Sequence, residues 1–295
     1  MTGASHGSVD WRGLLVKRPY PWERDMTVCI AAACTGTANG DKERKIILCT
    51  DQKSSSALGS AETARKEIPL GNKWRCLTSG DEADILALVR LYRTQFADAE
   101  NLKAETIDAS MKAPLHQRKA ELAEEYVRRR FAMSHSDFLR YGKERLPAEI
   151  FYDATQMISQ LRLKAELIIA GFINGDAEIY YTDSAGEARA ASHFAVVGEG
   201  EYVAHSSLLR RAQDDWTTMK TSLYNVYEAK RLSEAVGSVG RKTFMAVISP
   251  TERRRLTSLE FDKKLKTWYK KFGPQPIPDE GELEFEGEIY FEKDQ

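Results

Sequence analysis

The chain has 295 residues, a hydrophobic fraction of 42% and a formal net charge of −1 at pH 7. This hydrophobic fraction is enough to build a core, which argues against a disordered chain. The near-neutral charge gives no general attraction to nucleic acid or to an anionic membrane, so neither is an expected partner. No apolar run approaches the roughly 20 residues that a membrane-spanning helix requires.

Residues 1–26 contain no apolar stretch long enough for the core of a signal peptide, and we interpret them as a leader or N-terminal arm. The protein is therefore expected in the cytoplasm. The four cysteines lack the Cys-x-x-Cys spacing of zinc sites, and the five histidines are scattered. We expect no metal and no other cofactor, and we interpret the cysteines as small apolar residues on or beside strands. They are Cys29, Cys34, Cys49 and Cys76.

The first half of the chain begins with strand patterns and continues with helical ones. Apolar runs predict strands at residues 27–34, 45–50 and 74–78, and the polar segment 35–41 is predicted to form a long hairpin between the first two. Apolar residues then recur at helical spacing. The predicted helices cover residues 83–97 and 114–132, residues 137–141 with Ser136 as the cap, and a segment that begins at Pro147.

The second half returns to strands. Two sequences typical of turns, Asn174-Gly175-Asp176 and Ser184-Ala185-Gly186, separate its first three apolar runs. Strands followed by helices, then strands and helices again, indicate an α+β fold. The predicted strands are residues 166–172, 177–183, 192–197 and 243–248, and the predicted helices are residues 202–211 and 217–236.

The last 45 residues form an extension with segregated charge. A basic segment within residues 253–271 is interpreted as a solvated helix rather than as a nucleic-acid contact. Eight acidic residues then lie within residues 279–294. Apolar residues alternate with them, which predicts an amphipathic strand that could pair with a sheet edge of this or a neighbouring subunit.

Thr27 is the main candidate for a catalytic residue, because it directly follows Met26. If Thr27 becomes the N-terminal residue, it carries both a hydroxyl and a free α-amine. An α-amine with an ordinary pKa of roughly 7.7–8.0 can take the hydroxyl proton when a nearby cation keeps it neutral. This is the N-terminal-threonine form of a nucleophile–base pair. If residues 1–26 stay attached, the nitrogen is an amide and cannot act as a base.

Three further residues follow Thr27 in a distinctive order. Asp51 ends the second predicted strand, Lys66 precedes a short apolar segment, and Gly80 comes fourteen residues later, just before a helix. Together with the start Met-Thr-x-Cys-x-Ala, this order resembles the proteasome β-subunit superfamily of N-terminal nucleophile (Ntn) hydrolases. It is most similar to the bacterial branch called Anbu. The resemblance continues in ordered blocks over about residues 27–250.

The resemblance implies a fold and an organisation. The fold would be α+β, a four-layer αββα sandwich of two antiparallel sheets, which is the Ntn-hydrolase fold. Residues 27–250 would form this domain, with a helical insertion at about residues 100–165, between the leader and the charged extension over residues 251–295. A cytoplasmic homo-oligomer, either a ring or a helical stack, is also implied, while an ATPase partner is left open.

The resemblance also implies an activity, which is the cleavage of peptide amide bonds in peptides or unfolded proteins. Thr27 would attack, Lys66 and Asp51 would tune it, and the backbone N–H of Gly80 would stabilise the oxyanion. Two alternatives stay open: a non-catalytic, proteasome-like assembly protein that keeps its leader, and an Ntn amidohydrolase acting on a small amide. Ser55 and Ser79 are the candidates for substrate binding.

Two positions depart from the family pattern. The serine that assists the threonine in archetypal proteasomes is replaced here by Glu199, in the turn Gly198-Glu199-Gly200. The acidic residue expected in the last strand is replaced by Phe244. The residues around the predicted nucleophile are therefore expected to differ from those of the archetype.

Overall fold

The computed structural model describes residues 27–38, 41–56, 59–71, 73–97, 103–256 and 259–274. The interpretation of residues 1–26 as a leader, and the amphipathic strand predicted within residues 279–294, lie outside these ranges. Within them the chain is an α+β protein that combines two five-stranded antiparallel sheets with seven helices. Each of these helices is too short or too polar to cross a membrane.

The first sheet begins with two long strands that pair along their whole length. They are β1 (Cys29–Ala38) and β2 (Asp41–Asp51), and the middle of both is buried on both faces, as their continuous apolar runs predict. The strand order is β10-β1-β2-β11-β12. The three other strands are β10 (Phe194–Val197), β11 (Thr243–Ile248) and β12 (Arg253–Arg255).

The second sheet has the order of the sequence, with each strand next to its predecessor. Its strands are β5 (Glu67–Pro69), β6 (Arg75–Gly80), β7 (Ala165–Ile173), β8 (Asp176–Thr182) and β9 (Ala188–Ala190). A separate two-stranded sheet is formed by β3 (Ser54–Ser56) and β4 (Gly59–Ala61).

Helices lie in the three parts of the chain where the sequence predicts them, which are the first half, the second half and the basic segment of the extension. At the first helix, the side chain of Asp81 accepts the N–H groups of Ala83 and Asp84 and so fixes the helix start. Pro147 precedes another helix, as predicted. The helices are α1 (Glu82–Gln95), α2 (Ile107–Phe131), α3 (His135–Arg145), α4 (Ala148–Ser159), α5 (Glu201–Arg210), α6 (Met219–Ser233) and α7 (Leu259–Phe272).

Three hydrophobic clusters show how these elements pack. One lies between the two sheets, where Ala31 and Leu48 of the first meet Ile168 of the second. Another joins the opposite face of the first sheet to α5, α6 and α7, and a third joins the opposite face of the second sheet to α1 and α2. Helices therefore cover the outer face of each sheet, an arrangement compatible with a sandwich.

The long polar hairpin predicted over residues 35–41 is wrong. The paired strands continue through it, so that Thr35 pairs with Arg44 and Ala38 with Asp41. Polar residues can extend the strands here because their side chains find partners outside the sheet. The Thr35 hydroxyl donates to the carbonyl of Asp215 at 2.9 Å, and Arg44 forms an ion pair with the carboxylate of Asp215 at 2.8 Å.

The cap predicted at Ser136 is also wrong. The hydroxyl of Ser134 accepts the N–H of Asp137 at 3.1 Å, and α3 begins at His135. Asp137 is then the third helical residue, which is where a capping side chain finds its donor. Elsewhere β9 was not predicted, and the first three residues of the basic segment interpreted as a helix form the strand β12 instead. The helix α2 begins seven residues before the predicted start, so that Pro114 lies inside it.

Candidate active site

Thr27 lies two residues before the start of β1, and only 1% of its surface is exposed. Its backbone carbonyl accepts the N–H of Gly200 at 3.2 Å. Gly198 packs directly on the same carbonyl, since a Cβ atom placed there would lie 2.5 Å from the oxygen. The turn after β10 therefore fixes the position of Thr27.

Asp51 reaches Thr27 because of the register between β1 and β2. Cys29 pairs with Thr50, so Asp51, the last residue of β2, lies beside the segment that precedes β1. The Val28 N–H donates to Oδ1 of Asp51 at 3.1 Å, and the Thr27 hydroxyl donates to the same oxygen. The Asp51 side chain is fully buried.

Lys66 comes to this place from the second sheet. It directly precedes β5, and its carbonyl accepts the N–H of Thr78 in β6 at 3.0 Å. Its ammonium lies 2.9 Å from Oδ1 of Asp51 and also donates to the hydroxyl of Thr27. The structure thus brings Thr27, Asp51 and Lys66 into mutual contact, with the Lys66 side chain only 12% exposed.

The Asp51 carboxylate is held by five donors. Oδ1 receives the three described above, while Oδ2 accepts the backbone N–H groups of Lys53 at 3.0 Å and Gly240 at 3.1 Å. A carboxylate offers about four lone-pair sites, so this one is filled. Asp51 is therefore suited to orienting its neighbours.

Two residues that the sequence pattern did not reveal support Asp51. Gly240 brings its N–H to the carboxylate, and a Cβ atom there would lie 2.8 Å from Oδ2 of Asp51. The ammonium of Lys230 is fully buried in α6 and donates to the carbonyls of Gly240 and Arg241 at 2.8 and 2.9 Å. In the sequence, Gly240 is one glycine of a loop and Lys230 resembles a surface lysine. Neither carries a motif.

Cys29 is a rival nucleophile, because it lies two residues from Thr27. Its thiol donates to the carbonyl of Thr78 at 3.4 Å and is fully buried. Burial raises the pKa of the Cys29 thiol to about 12, although the nearby Lys66 ammonium opposes the increase. The thiol therefore stays protonated near neutral pH, and Thr27 is the better candidate.

Gly80 ends β6 with a φ of +116°, and a Cβ atom there would lie 2.2 Å from the carbonyl of Lys164. Only glycine fits this position without strain. N–H groups of a strand alternate in direction, and that of Thr78 points to the carbonyl of Lys66. We therefore expect the Gly80 N–H to point toward the same side, where Lys66 lies.

The two serines predicted to bind substrate lie in different places. Ser55 is in β3, where it pairs with Ser60 in the small sheet. Ser79 is in β6, is 5% exposed and pairs with Glu166 of β7. Within the described residues, no hydrogen bond joins the Ser79 side chain to Thr27. The roles of Ser55 and Ser79 in substrate binding stay predictions.

The two departures from the family pattern lie near the candidate site. Glu199 lies in the turn that holds the carbonyl of Thr27, between Gly198 and Gly200. Phe244 is in β11, pairs with Thr50 and contributes to the cluster between the sheets. An apolar ring therefore stands where the resemblance implied an acid.

Replacing Gly198 by alanine is expected to displace Thr27. Gly198 has a φ of +98°, and the added methyl would collide with the carbonyl and Cγ2 of Thr27 at 2.5 and 2.9 Å. We expect the backbone strain to cost about 1–3 kcal/mol and the collision about 1–3 kcal/mol more. Urea unfolding would measure the sum.

Gly175→Ala is the matched control for this prediction. Gly175 also has a positive φ, of +91°, but nothing lies within 4 Å of a Cβ atom there. It should show the backbone cost alone. Equal losses of stability in the two variants would contradict a tight contact between Gly198 and Thr27.

No protein-family model matches the chain, and no curated protein matches it. Among the described residues, no group of three or more His, Cys, Asp or Glu side chains is placed to hold a metal ion.

Proposed function

We propose that the chain is a threonine-type Ntn hydrolase of the proteasome β-subunit superfamily, which cleaves peptide amide bonds. The observation that carries this proposal is the mutual contact of the Thr27 hydroxyl, the Asp51 carboxylate and the Lys66 ammonium. A hydroxyl, a cation and an orienting carboxylate are the groups that an activated threonine needs beside its own amine. These residues come from three separate parts of the chain, so local sequence does not account for their meeting.

The packing of the two sheets and the helices supports the proposal of a four-layer αββα sandwich. Two antiparallel sheets enclose one hydrophobic cluster, and helices cover the outer face of each sheet. This order of layers fits the four-layer αββα sandwich of Ntn hydrolases. In that fold the nucleophile begins a strand at the end of the sandwich, and Thr27 lies two residues before β1.

The proposed reaction uses the α-amine of a freed Thr27 as the base. The Thr27 oxygen attacks the carbonyl carbon of the scissile amide while its proton passes to the amine. The Lys66 ammonium favours the neutral amine before attack, and it stabilises the developing alkoxide through its contact with Oγ1. The Gly80 N–H is proposed to donate to the oxyanion.

Collapse of the tetrahedral intermediate breaks the C–N bond, and the protonated amine of Thr27 returns its proton to the leaving nitrogen. The product is an ester between the substrate acyl group and Thr27. Water then attacks this ester with the same amine as base, which releases the acid and restores the hydroxyl. Throughout the reaction Asp51 holds Lys66 and the segment before β1 in place.

A peptide substrate is favoured over a small amide by the shape of the surface beside Lys66. Two cavities, of about 300 and 490 Å³, share Gln52, Phe244 and Arg255 as wall residues. The first also has Lys66 in its wall. Adjoining cavities along one edge suit an extended chain. A cytoplasmic homo-oligomer, as a ring or a helical stack, is part of the same proposal.

The proposal is tested by releasing Thr27. We expect a chain begun at Met26, from which the methionine is removed, to hydrolyse amide reporters, whereas the full chain with residues 1–26 attached should not. Intact-mass measurement identifies the N-terminus in each case. Equal rates for the two versions would contradict an amine base.

A second candidate is a non-catalytic assembly protein with a retained leader, and the residue that favours it is Glu199. This glutamate replaces the serine that assists the nucleophile in archetypal proteasomes. Intact mass of the protein from its native host separates the two candidates. A mass that starts at Thr27 supports the hydrolase, and a mass that includes residues 1–25 supports the assembly protein.

A further inference from the structure

A cavity of about 300 Å³ opens beside Lys66, between the edges of the two sheets. We call it the arginine cavity, because three of its wall residues are Arg65, Arg253 and Arg255. The residue before Glu67 in β5 is Lys66, which contacts Thr27, so the cavity lies next to the candidate nucleophile. Its other wall residues are Thr50, Gln52, Thr63, Ala64, Lys66, Glu67 and Phe244.

The charges of the cavity do not balance. Glu67 is its one acid, and both carboxylate oxygens are bound by Arg253, at 3.0 and 2.7 Å. Arg75 also pairs with Glu67, at 3.3 Å. Among the described residues, no carboxylate forms an ion pair with Arg65 or Arg255. Two guanidinium groups are therefore available to an anion that enters.

The surroundings of Arg75 show the same excess of positive charge. Burial lowers the pKa of the Arg75 guanidinium, Glu67 opposes this, and the charges of Arg253 and Arg65 lower it further. An arginine that is destabilised by two others marks a place where an additional negative charge would be favourable.

We propose that the arginine cavity binds the carboxylate of a glutamate or aspartate side chain of the peptide substrate, an inference that rests on the proposed hydrolase function. Guanidinium groups match carboxylates in geometry and charge. The volume lies at the small end of the roughly 300–1,000 Å³ of ligand pockets, which suits one side chain rather than a large ligand.

The cavity walls offer an apolar surface for the methylene groups of an acidic side chain and polar groups for its carboxylate. The ring of Phe244 offers an apolar surface for the methylene groups, and the Arg255 guanidinium lies 5.2 Å above this ring. Thr50, Thr63 and Gln52 offer polar groups at the walls. A cavity that opens beside the nucleophile favours a side chain of the cleaved peptide over a separate anion.

Binding to the inactive full chain tests this proposal without depending on catalysis. The protein would carry Thr27→Ala, and the probes are short fluorescent peptides of alanine with one glutamate or one glutamine, placed at each position in turn. At one position we expect the glutamate peptide to bind about tenfold more tightly than its glutamine counterpart at low salt. The preference should fall as salt is raised, because Arg65 and Arg255 are exposed.

Two variants of the same strand locate the effect. Arg255→Gln should reduce the preference to about twofold or less. Arg254→Gln is the matched control, because Arg254 is the neighbouring arginine of β12 and is not a wall residue of the cavity. It should keep the full preference. Arg253 is left unchanged, since its loss would leave the buried Glu67 with one partner fewer.

Several results would overturn the proposal. One is equal binding of the glutamate and glutamine peptides at every position, both to the full chain and to the chain begun at Met26. Another is a preference for the glutamate peptide that persists in Arg255→Gln. Arg255-dependent binding of inorganic phosphate without any glutamate preference would make the cavity a site for a free anion instead. A glutamate preference without hydrolysis by the chain begun at Met26 would support the arginine cavity as a carboxylate site and refute the proposed hydrolase function. Hydrolysis without a glutamate preference would support the hydrolase function and refute the carboxylate site.

Discussion

Thr27→Ala in the chain begun at Met26 is expected to lower the hydrolysis of amide reporters by about 10³-fold or more. The variant loses the only oxygen that touches both Lys66 and Asp51 in the described structure. What remains is the ammonium and the backbone donors, which can bind a carbonyl but cannot attack it. The measurement is kcat/KM on the reporter, with unfolding by urea to show that the fold is intact.

Two further variants make this result specific. Thr27→Ser keeps the hydroxyl and the amine and should keep activity within about tenfold of the original chain. Cys29→Ala removes the rival nucleophile, whose thiol is buried and protonated, and should leave most of the activity. Unchanged hydrolysis in Thr27→Ala would refute Thr27 as the nucleophile, and loss of hydrolysis confined to Cys29→Ala would move the nucleophile to the thiol.

Lys230→Met is expected to be the most destabilising change away from Thr27. The ammonium is fully buried, pairs with Glu234 and donates to the carbonyls of Gly240 and Arg241. Methionine fills the space but leaves two carbonyls without this donor, which should cost about 3 kcal/mol in the free energy of unfolding. Because Gly240 supports Asp51, hydrolysis should also fall by about 10- to 100-fold.

The control for Lys230 is an exposed pair with the same spacing. Arg129 binds Glu125 four residues before it at 3.1 Å, and its side chain is 81% exposed. Arg129→Met should change stability by less than about 1 kcal/mol and leave hydrolysis unaltered. If Lys230→Met behaved like this control, the loop at Gly240 would not depend on Lys230.

Local pattern predicted most elements of the fold, because the strands coincide with continuous apolar runs and the helices with apolar residues at helical spacing. The strand over Thr243–Ile248 has the predicted bounds, and both helices that follow β10 lie where helical spacing put them. The extension of β1 and β2 beyond Cys34 could not be predicted in this way. It depends on Asp215, a partner about 180 residues away that satisfies Thr35 and Arg44.

The residues of the candidate site likewise include some that the sequence predicted and some that it could not predict. Thr27, Asp51 and Lys66 could be singled out because their order and spacing resemble a family, and the structure brings their side chains together. Their catalytic roles stay predictions. Lys230 and Gly240 could not be found, since a buried lysine and a loop glycine have no signature until the chain folds around them.

The ion pair between Glu67 and Arg253 has a mechanical consequence for anything that passes along this end of the molecule. Glu67 belongs to the rim strand of one sheet and Arg253 to the rim strand of the other. The edges of the two sheets are thus joined by a bidentate ion pair rather than by apolar packing. Because the bidentate guanidinium–carboxylate geometry tolerates little change in the distance between the two strands, the opening between the sheet edges keeps a constant width. The neighbouring Lys66 keeps a constant depth beneath this opening.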